Sequence, residues 1–283
     1  MVGAGPCAGR AWAFQTCGIG DIVIRFENVG LRYGTGPEVL RDVSFTLPPG
    51  SFHFLTGASG AGKSSLLKLL YLAHRPSRGR ITLLGHDLGQ LDRTDLPELR
   101  RQIGVVFQDF RLLGHMSVLD NVALPLRMAG AAEEEVSVHS RELLEWVGLG
   151  NHLFAKPPTL SGGQQQRVAI VRSVINRPRL LLADEPTGNV DDSIGLRLLF
   201  LFEELHKLGT TVLIATHNEA LIRRFPYPRL HLEQGRLHTL PAPAPAPAPI
   251  PVPPPASAPA LAAPPQTTPP QTTPPASLPA GQG

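Results

Sequence analysis

Eight consecutive residues, Gly57-Ala58-Ser59-Gly60-Ala61-Gly62-Lys63-Ser64, follow the order G-x-x-x-x-G-K-S at every fixed position. Glycines at that spacing let backbone N–H groups turn inward around phosphate oxygens, and a helix starting at the lysine adds partial positive charge. Lys63 can then reach the β- and γ-phosphates of a nucleoside triphosphate such as ATP, and the Ser64 hydroxyl can ligate Mg²⁺. Ser65 follows as part of the same phosphate-binding stretch. Taken alone, the motif also fits a glycine-rich turn before a helix. A second cluster, Leu180-Leu181-Leu182-Ala183-Asp184-Glu185, puts two carboxylates directly after an apolar run. Asp184 in that position would hold Mg²⁺, directly or through water, and Glu185 would sit where a general base for water is needed. Two acids ending a strand at the surface would look the same. Ligands of open α/β sheets bind at the carboxyl ends of the strands, which favours the functional reading.

These residues need elements to position them, and the hydrophobic pattern supplies candidates. Ile22, Ile24 and Phe26 alternate with Val23, Arg25 and Glu27, predicting a strand. Val39–Leu47 predicts a second, closed by Pro48-Pro49-Gly50. Ser51–Thr56 reads as a short buried strand entering the glycine loop, and Lys63–Leu72 as a helix burying Leu66, Leu67, Leu69 and Leu70. Residues 91–150 read as mostly helical, with a strand at Ile103–Phe107 and an amphipathic helix at Glu133–Trp146. Leu180–Ala183 and Val212–Ala215 are short apolar runs of the kind that form parallel strands covered on both faces. Leu230–Leu232 and Arg236–Leu240 flank Gln234-Gly235 as a closing hairpin. Strands alternating with helices predict an α/β fold.

Between the two phosphate-directed clusters lies Leu160-Ser161-Gly162-Gly163-Gln164. With this pentapeptide, residues 22–238 resemble the ATP-binding cassette (ABC) superfamily, whose signature it matches completely. A phosphate loop alone would admit kinases, GTPases and helicases. The resemblance implies an α/β P-loop NTPase fold of the ABC ATPase type: a RecA-like core, an antiparallel β subdomain and a helical subdomain at about 109–160, within a cassette spanning 21–240. It also implies ATP hydrolysis across a dimer. Ser161 and Gly163 would donate a hydroxyl and a backbone N–H to the γ-phosphate on a second subunit, with Gly162 and Gln164 completing that helix start. The same five residues also read as an N-capped helix start, and the two readings are compatible. Further positions fall in the family's order. Gln108 matches the Q-loop glutamine that contacts Mg²⁺ and water. Gly188-Asn189-Val190-Asp191 matches the interface D-loop, and His217 the switch histidine that bonds the γ-phosphate. Tyr33 lies where the family places an aromatic on adenine. One P-loop and one signature per chain imply a homodimer, most simply with two-fold symmetry.

Two stretches narrow the resemblance. Val106-Phe107-Gln108-Asp109-Phe110-Arg111-Leu112-Leu113 and Asn121-Val122-Ala123-Leu124-Pro125-Leu126-Arg127 are similar to the cell-division ATP-binding branch, FtsE. That resemblance implies an FtsX-like integral membrane partner, peripheral attachment at the cytoplasmic face of the bacterial inner membrane, and ATP-driven control of cell-wall hydrolases. Asp184–Asp191 has a form shared with lipoprotein-releasing and macrolide-exporting cassettes, which stand as the alternative. Phe110, Leu112 and Leu113 are candidates either for the floor of a groove that takes the partner or for internal packing. Soluble ABC proteins acting on DNA or ribosomes usually carry two cassettes or a long coiled-coil insert, and neither is seen here.

Composition bounds the remaining possibilities. The net charge is only +3 and no long basic run occurs, so a nucleic-acid partner is not indicated. Cys7 and Cys17 are too few and too terminal for a disulfide framework or a metal site. No apolar run is long enough to span a bilayer, and the first residues lack the basic end and long apolar stretch expected of a secretory signal. Residues 1–20 read as a disordered Gly/Ala-rich extension. Residues 241–283 hold 17 of the 30 prolines and no charged or aromatic residue, and read as a disordered, partly polyproline tail.

Overall fold

A computed structural model describes residues 22–188 and 192–242, with 192–194 described by backbone alone. In chain order the elements are β1 (Ile24–Arg32), β2 (Glu38–Leu47), β3 (Phe52–Thr56), α1 (Lys63–Leu70), β4 (Arg78–Leu83), β5 (His86–Asp87), α2 (Leu96–Arg101) and β6 (Ile103–Val106). They continue with α3 (Val118–Met128), α4 (Glu133–Trp146), α5 (Gly162–Val174), β7 (Leu180–Asp184), α6 (Asp192–Lys207), β8 (Thr211–Ala215), α7 (Glu219–Arg224), β9 (Arg229–Glu233) and β10 (Arg236–Leu240). The segments read as disordered at either end, and Asn189–Asp191 of the D-loop, lie outside the described residues, apart from Pro241 and Ala242.

Two described sheets form. One runs β2-β1-β4-β5 with antiparallel neighbours. The other runs β10-β9-β3-β8-β7-β6, parallel from β9 to β6 and closed by the antiparallel β9–β10 hairpin. This is an α/β architecture, a mostly parallel sheet accompanied by a separate antiparallel one.

The period of two decides which core each strand residue joins. On β7, Leu180 and Leu182 face the core shared with the antiparallel sheet and α1, while Leu181 and Ala183 face the core built with α3, α4, α5 and α6. On β8, Leu213 and Ala215 go to the first core, and Val212 and Ile214 to the second. A sheet apolar on both faces reads as a continuous hydrophobic run, as these strands do. Helix α1 seats Leu66, Leu67, Leu69 and Leu70 in the first core. It ends two residues before the Leu72 expected from sequence, because Leu72 turns into the left-handed region at φ 62°.

In the stretch 91–150, helices α2, α3 and α4 are separated by β6 and by the non-helical, turn-rich Phe107–Ser117 segment. Asn121, fully buried on α3 beside Val118 and Val122, ties that segment down. Its Oδ1 accepts from Leu113 N–H at 2.8 Å, and its Nδ2 donates to Leu113 O at 3.1 Å and Ser117 O at 2.9 Å. The two stretches that narrow the family resemblance are therefore one hydrogen-bonded unit. Within it Leu112 packs partly on the second core, while Phe110 and Leu113 are half-buried.

Candidate functional site

Strand register brings the chemistry to one edge. Leu55 of β3 pairs with Ala215 of β8, Ala215 with Asp184 of β7, and Ala183 with Val106 of β6. One or two residues further along each strand come Gly57, His217, Glu185 and Gln108, all at the carboxyl ends of the parallel strands. That edge is where open α/β sheets bind ligands.

The glycine loop leaves β3 and enters α1. Gly57 has φ 145°, and a Cβ there would collide with the backbone carbonyl of Leu232 on β9. Gly62, at φ 107°, caps α1. The Lys63 ammonium lies back over the loop, donating to Gly57 O at 2.8 Å and Ala58 O at 3.0 Å. Ser64 Oγ donates to Asp184 Oδ2 at 2.9 Å across the sheet. Burial pushes the Asp184 carboxyl above its ordinary value, with the Ser64 hydrogen bond opposing and the Glu185 charge reinforcing the rise. A cavity of about 440 Å³ joins Ser64, Lys68, Tyr71, Gln108 and Asp184.

These oxygens suit a hard divalent cation. Mg²⁺ is usually held by one or two carboxylates together with substrate phosphates and water, rather than by a full protein cage. Among the described residues no cluster of three His, Cys, Asp or Glu offers such a cage. The Ser64–Asp184 pair, with Gln108 in the same cavity, fits Mg²⁺ accompanied by phosphate.

Glu185 follows β7 with φ 50°, a left-handed value that a non-glycine residue holds only where its surroundings enforce it. Its N–H donates to Ala215 O at 2.9 Å. Its carboxylate accepts from His217 Nδ1 at 2.7 Å, and it is the more buried partner, 16% exposed against 77% for the histidine. Gln166, fully buried on α5, donates Nε2 to Pro186 O at 2.6 Å and to Glu185 O at 3.4 Å, holding the turn that carries the carboxylate. Gly188 closes the turn, its N–H donating to Glu185 O at 3.2 Å.

Tyr33 stands just past β1, 39% exposed. Its hydroxyl donates to Ser65 Oγ at 3.1 Å, and Lys68 Nζ lies 5.7 Å from its ring centre. The phenol is thus fixed to the helix that follows the phosphate loop.

The signature opens α5. Ser161 is its N-cap: Ser161 Oγ accepts from Gln164 N–H at 3.3 Å, and Gln164 Oε1 accepts from Ser161 N–H at 2.9 Å, completing a capping box. The N-cap reading therefore stands beside the signature reading. Ser161 and Gly162 are exposed. None of Leu160–Gln164 lines the cavity that holds Ser64, Gln108 and Asp184. Asp191 lies outside the described residues. The structure thus gathers Gly57–Ser65, Gln108, Asp184, Glu185 and His217 along one edge, with Tyr33 beside Ser65, and leaves the signature out of the cavity.

Sequence reading missed Gln166 and Asn121. Both carried a signal. Gln166 shares a helical face with Ala169, Ile170 and Ser173, and Asn121 one with Val118 and Val122. A polar side chain on an apolar stripe must find partners once buried.

The ABC transporter family model matches residues 40–188. The cell division ATP-binding protein FtsE of Escherichia coli K12 is 50% identical over 216 residues, covering 76% of this chain and 97% of that protein. FtsE of Haemophilus influenzae is 49% identical over the same length, and that of Bacillus subtilis 38% over 213 residues, covering 75–76% of this chain and 93–99% of those proteins. Among solved structures, the ATP-binding cassette MJ0796, in a dimeric post-hydrolysis state bound to ADP and Pi, aligns with TM-score 0.71 at 33% identity, covering 76% of this chain and 96% of that one.

Proposed function

The chain belongs to the ABC transporter family of ATP-binding cassettes and hydrolyses ATP, and we propose that it does so as half of a homodimer that drives a membrane partner in bacterial cell division. The observation that carries the dimer is the split site. The phosphate loop, Asp184, Glu185 and His217 meet at one sheet edge, where Ser64, Gln108 and Asp184 line a cavity that the exposed signature at Ser161 does not reach. A second copy would supply it.

In the closed dimer the Gly57–Ser65 amides and Lys63 bind the β- and γ-phosphates, and Tyr33 stacks on the adenine. Lys63 exchanges the Gly57 and Ala58 carbonyls for phosphate oxygens. Ser64, Asp184 and Gln108 would hold Mg²⁺, which when bound neutralises charge between the phosphates. Glu185 takes the proton of the attacking water, and His217 fixes the carboxylate and reaches the γ-phosphate. From the second copy, the Ser161 hydroxyl and the Gly163 N–H donate to that same phosphate, with Gly162 and Gln164 shaping the helix start and Asp191 at the seam.

The cell-division reading rests on the 50% identity to FtsE and on the Asp109–Leu113 unit bonded to Asn121. It implies an FtsX-type integral membrane protein and action at the cytoplasmic face of the inner membrane, coupled to cell-wall hydrolases. Among the described residues no helix is long and apolar enough to cross a membrane, so the partner would supply the span.

Glu185→Gln tests both parts. It should bind ATP, accumulate as dimer, and lose hydrolysis by about 10²–10⁴, the usual contribution of a positioned base. Captured from gently solubilised membranes, it should bring down one four-span protein together with division proteins. A lipoprotein-release or export partner would refute the division reading, and full activity would remove Glu185 from the base role.

A further inference from the structure

Helix α5 does more than present the signature. Three of its side chains reach three parts of the nucleotide apparatus. Ser161 caps its start. One and a half turns on, Gln166 holds the Glu185 and Pro186 carbonyls. Near the far end, about 16 Å from Ser161 at the helical rise, Arg172 donates Nη2 to Phe110 O at 2.8 Å and Nη1 to Arg111 O at 2.7 Å.

The Arg172 contact has unusual chemistry. Phe110 (φ 58°) and Arg111 (φ 50°) are consecutive left-handed residues, neither of them glycine, and such residues persist only where their surroundings hold them. They lie directly after Gln108-Asp109, which line the nucleotide cavity. Arg111 folds over the Phe107 ring at 4.0 Å and bonds Asp109 at 3.2 Å, so Phe107–Arg111 forms one tight loop. Arg172 grips that loop from outside by its two exit carbonyls. Among the described residues no carboxylate pairs with Arg172, and burial draws its guanidinium below its ordinary value. A charge half-buried without a counter-ion and spent on two carbonyls fits a planar fork chosen for geometry. The rear of the helix is seated closely. A Cβ on Gly104 of β6, the strand feeding the Phe107–Arg111 loop, would collide with Ser173 O of α5.

We infer that α5 is a strut, with Gln166 and Arg172 as positioning residues, that sets the signature offered to the second copy in register with the chain's own Gln108 loop and Glu185 turn. The inference rests on the dimer reading above and deepens it. Occupancy of a chain's own pocket would steady the half-site that it lends. Arg172 touches neither substrate nor reacting atoms and acts through the loop backbone.

The test uses the full chain, dilute enough to be monomeric, with a fluorescent ATP analogue and Mg²⁺. In the wild type, nucleotide should slow hydrogen exchange both in 105–113 and in 158–168. In Arg172→Met, analogue affinity of the dilute chain should stay within about twofold, and at concentrations that allow the dimer KM should hold while kcat falls about tenfold. Nucleotide should still protect 105–113 in that variant but no longer 158–168. Arg172→Lys, able to reach one carbonyl, should fall between. Gln166→Leu severs the other link and should show the same split, which keeps the test available should Arg172→Met fold poorly. Nucleotide protection of 158–168 persisting in both variants would overturn the strut, as would a kcat loss that only follows the fraction folded. A wild type that bound no analogue would refute the nucleotide reading itself, and the strut with it.

Discussion

Gly162→Ala separates what the signature does for the chain from what it does for a second copy. Gly162 is the first residue of α5, outside the left-handed region, and a Cβ built on it meets no atom within 4 Å. Alanine is favoured over glycine by about 0.8–1.0 kcal/mol in a helix interior, so about half of that is a fair expectation at a first position. The variant should fold at least as stably as the wild type, with a melting midpoint about 1–2 °C higher for a domain of this size. In the proposed dimer, the same methyl would stand next to the Gly163 N–H that is to approach phosphate. Misplacing a catalytic contact by about 1 Å can cost about 10²-fold, so steady-state hydrolysis should fall about 10- to 100-fold. Binding of a fluorescent ATP analogue to dilute chain should be unchanged. Thermal denaturation, a coupled ATPase assay and analogue titration together decide the matter. Undiminished hydrolysis would mean that nothing approaches Gly162 during turnover and would refute the shared site. A lower melting midpoint would refute the account of an unhindered helix start.

Asp184 gives a pH-dependent contrast. Its folded pKa is raised by burial, so its contribution to stability is present below the ordinary aspartate value and is lost as pH rises through the folded value. Asp184→Asn should therefore melt higher than wild type at neutral pH without nucleotide, converge with it in acid, and lose Mg²⁺-dependent hydrolysis; a melting difference independent of pH would refute the burial argument. Tyr33→Ala should weaken ATP binding about fivefold, on the order of 1 kcal/mol for a lost stacking partner. It should leave tripolyphosphate binding unchanged, and Tyr33→Phe should bind ATP nearly as the wild type does. Equal losses for ATP and tripolyphosphate would remove the stacking role.

The candidate site residues were legible because they lie in contiguous runs. Gly57–Ser65, Asp184-Glu185 and Leu160–Gln164 would each carry their proposed chemistry in adjacent residues, and the apolar runs at Leu180–Ala183 and Val212–Ala215 announce covered parallel strands. The β9–β10 hairpin was legible for the same reason, from Gln234-Gly235 between two short runs. What stayed hidden is made of long-range backbone contacts. Arg172 finds its partners 61 and 62 residues away, and they are carbonyls, which leave no side-chain trace in a sequence. The left-handed pair Phe110-Arg111 carries no glycine to mark it, and neither does Glu185. The β4 strand opens on three exposed positions, so no period of two marked it. The stretch 91–150 read as mostly helical, yet Phe107–Ser117 is not helical and is tied to α3 by Asn121, a partner found only after folding.

The carbonyl of Leu232 that shuts out any side chain at Gly57 belongs to β9, the penultimate described strand, which pairs in parallel with β3. The floor of the phosphate loop is therefore supplied by residues synthesised some 175 positions after it. On a translating ribosome, β3 and the glycine loop leave the exit tunnel long before β9 exists. A nascent chain halted before Leu232 carries the whole loop sequence but lacks the carbonyl that Gly57 sits against. That carbonyl arrives only when the closing hairpin docks beside a strand made near the start.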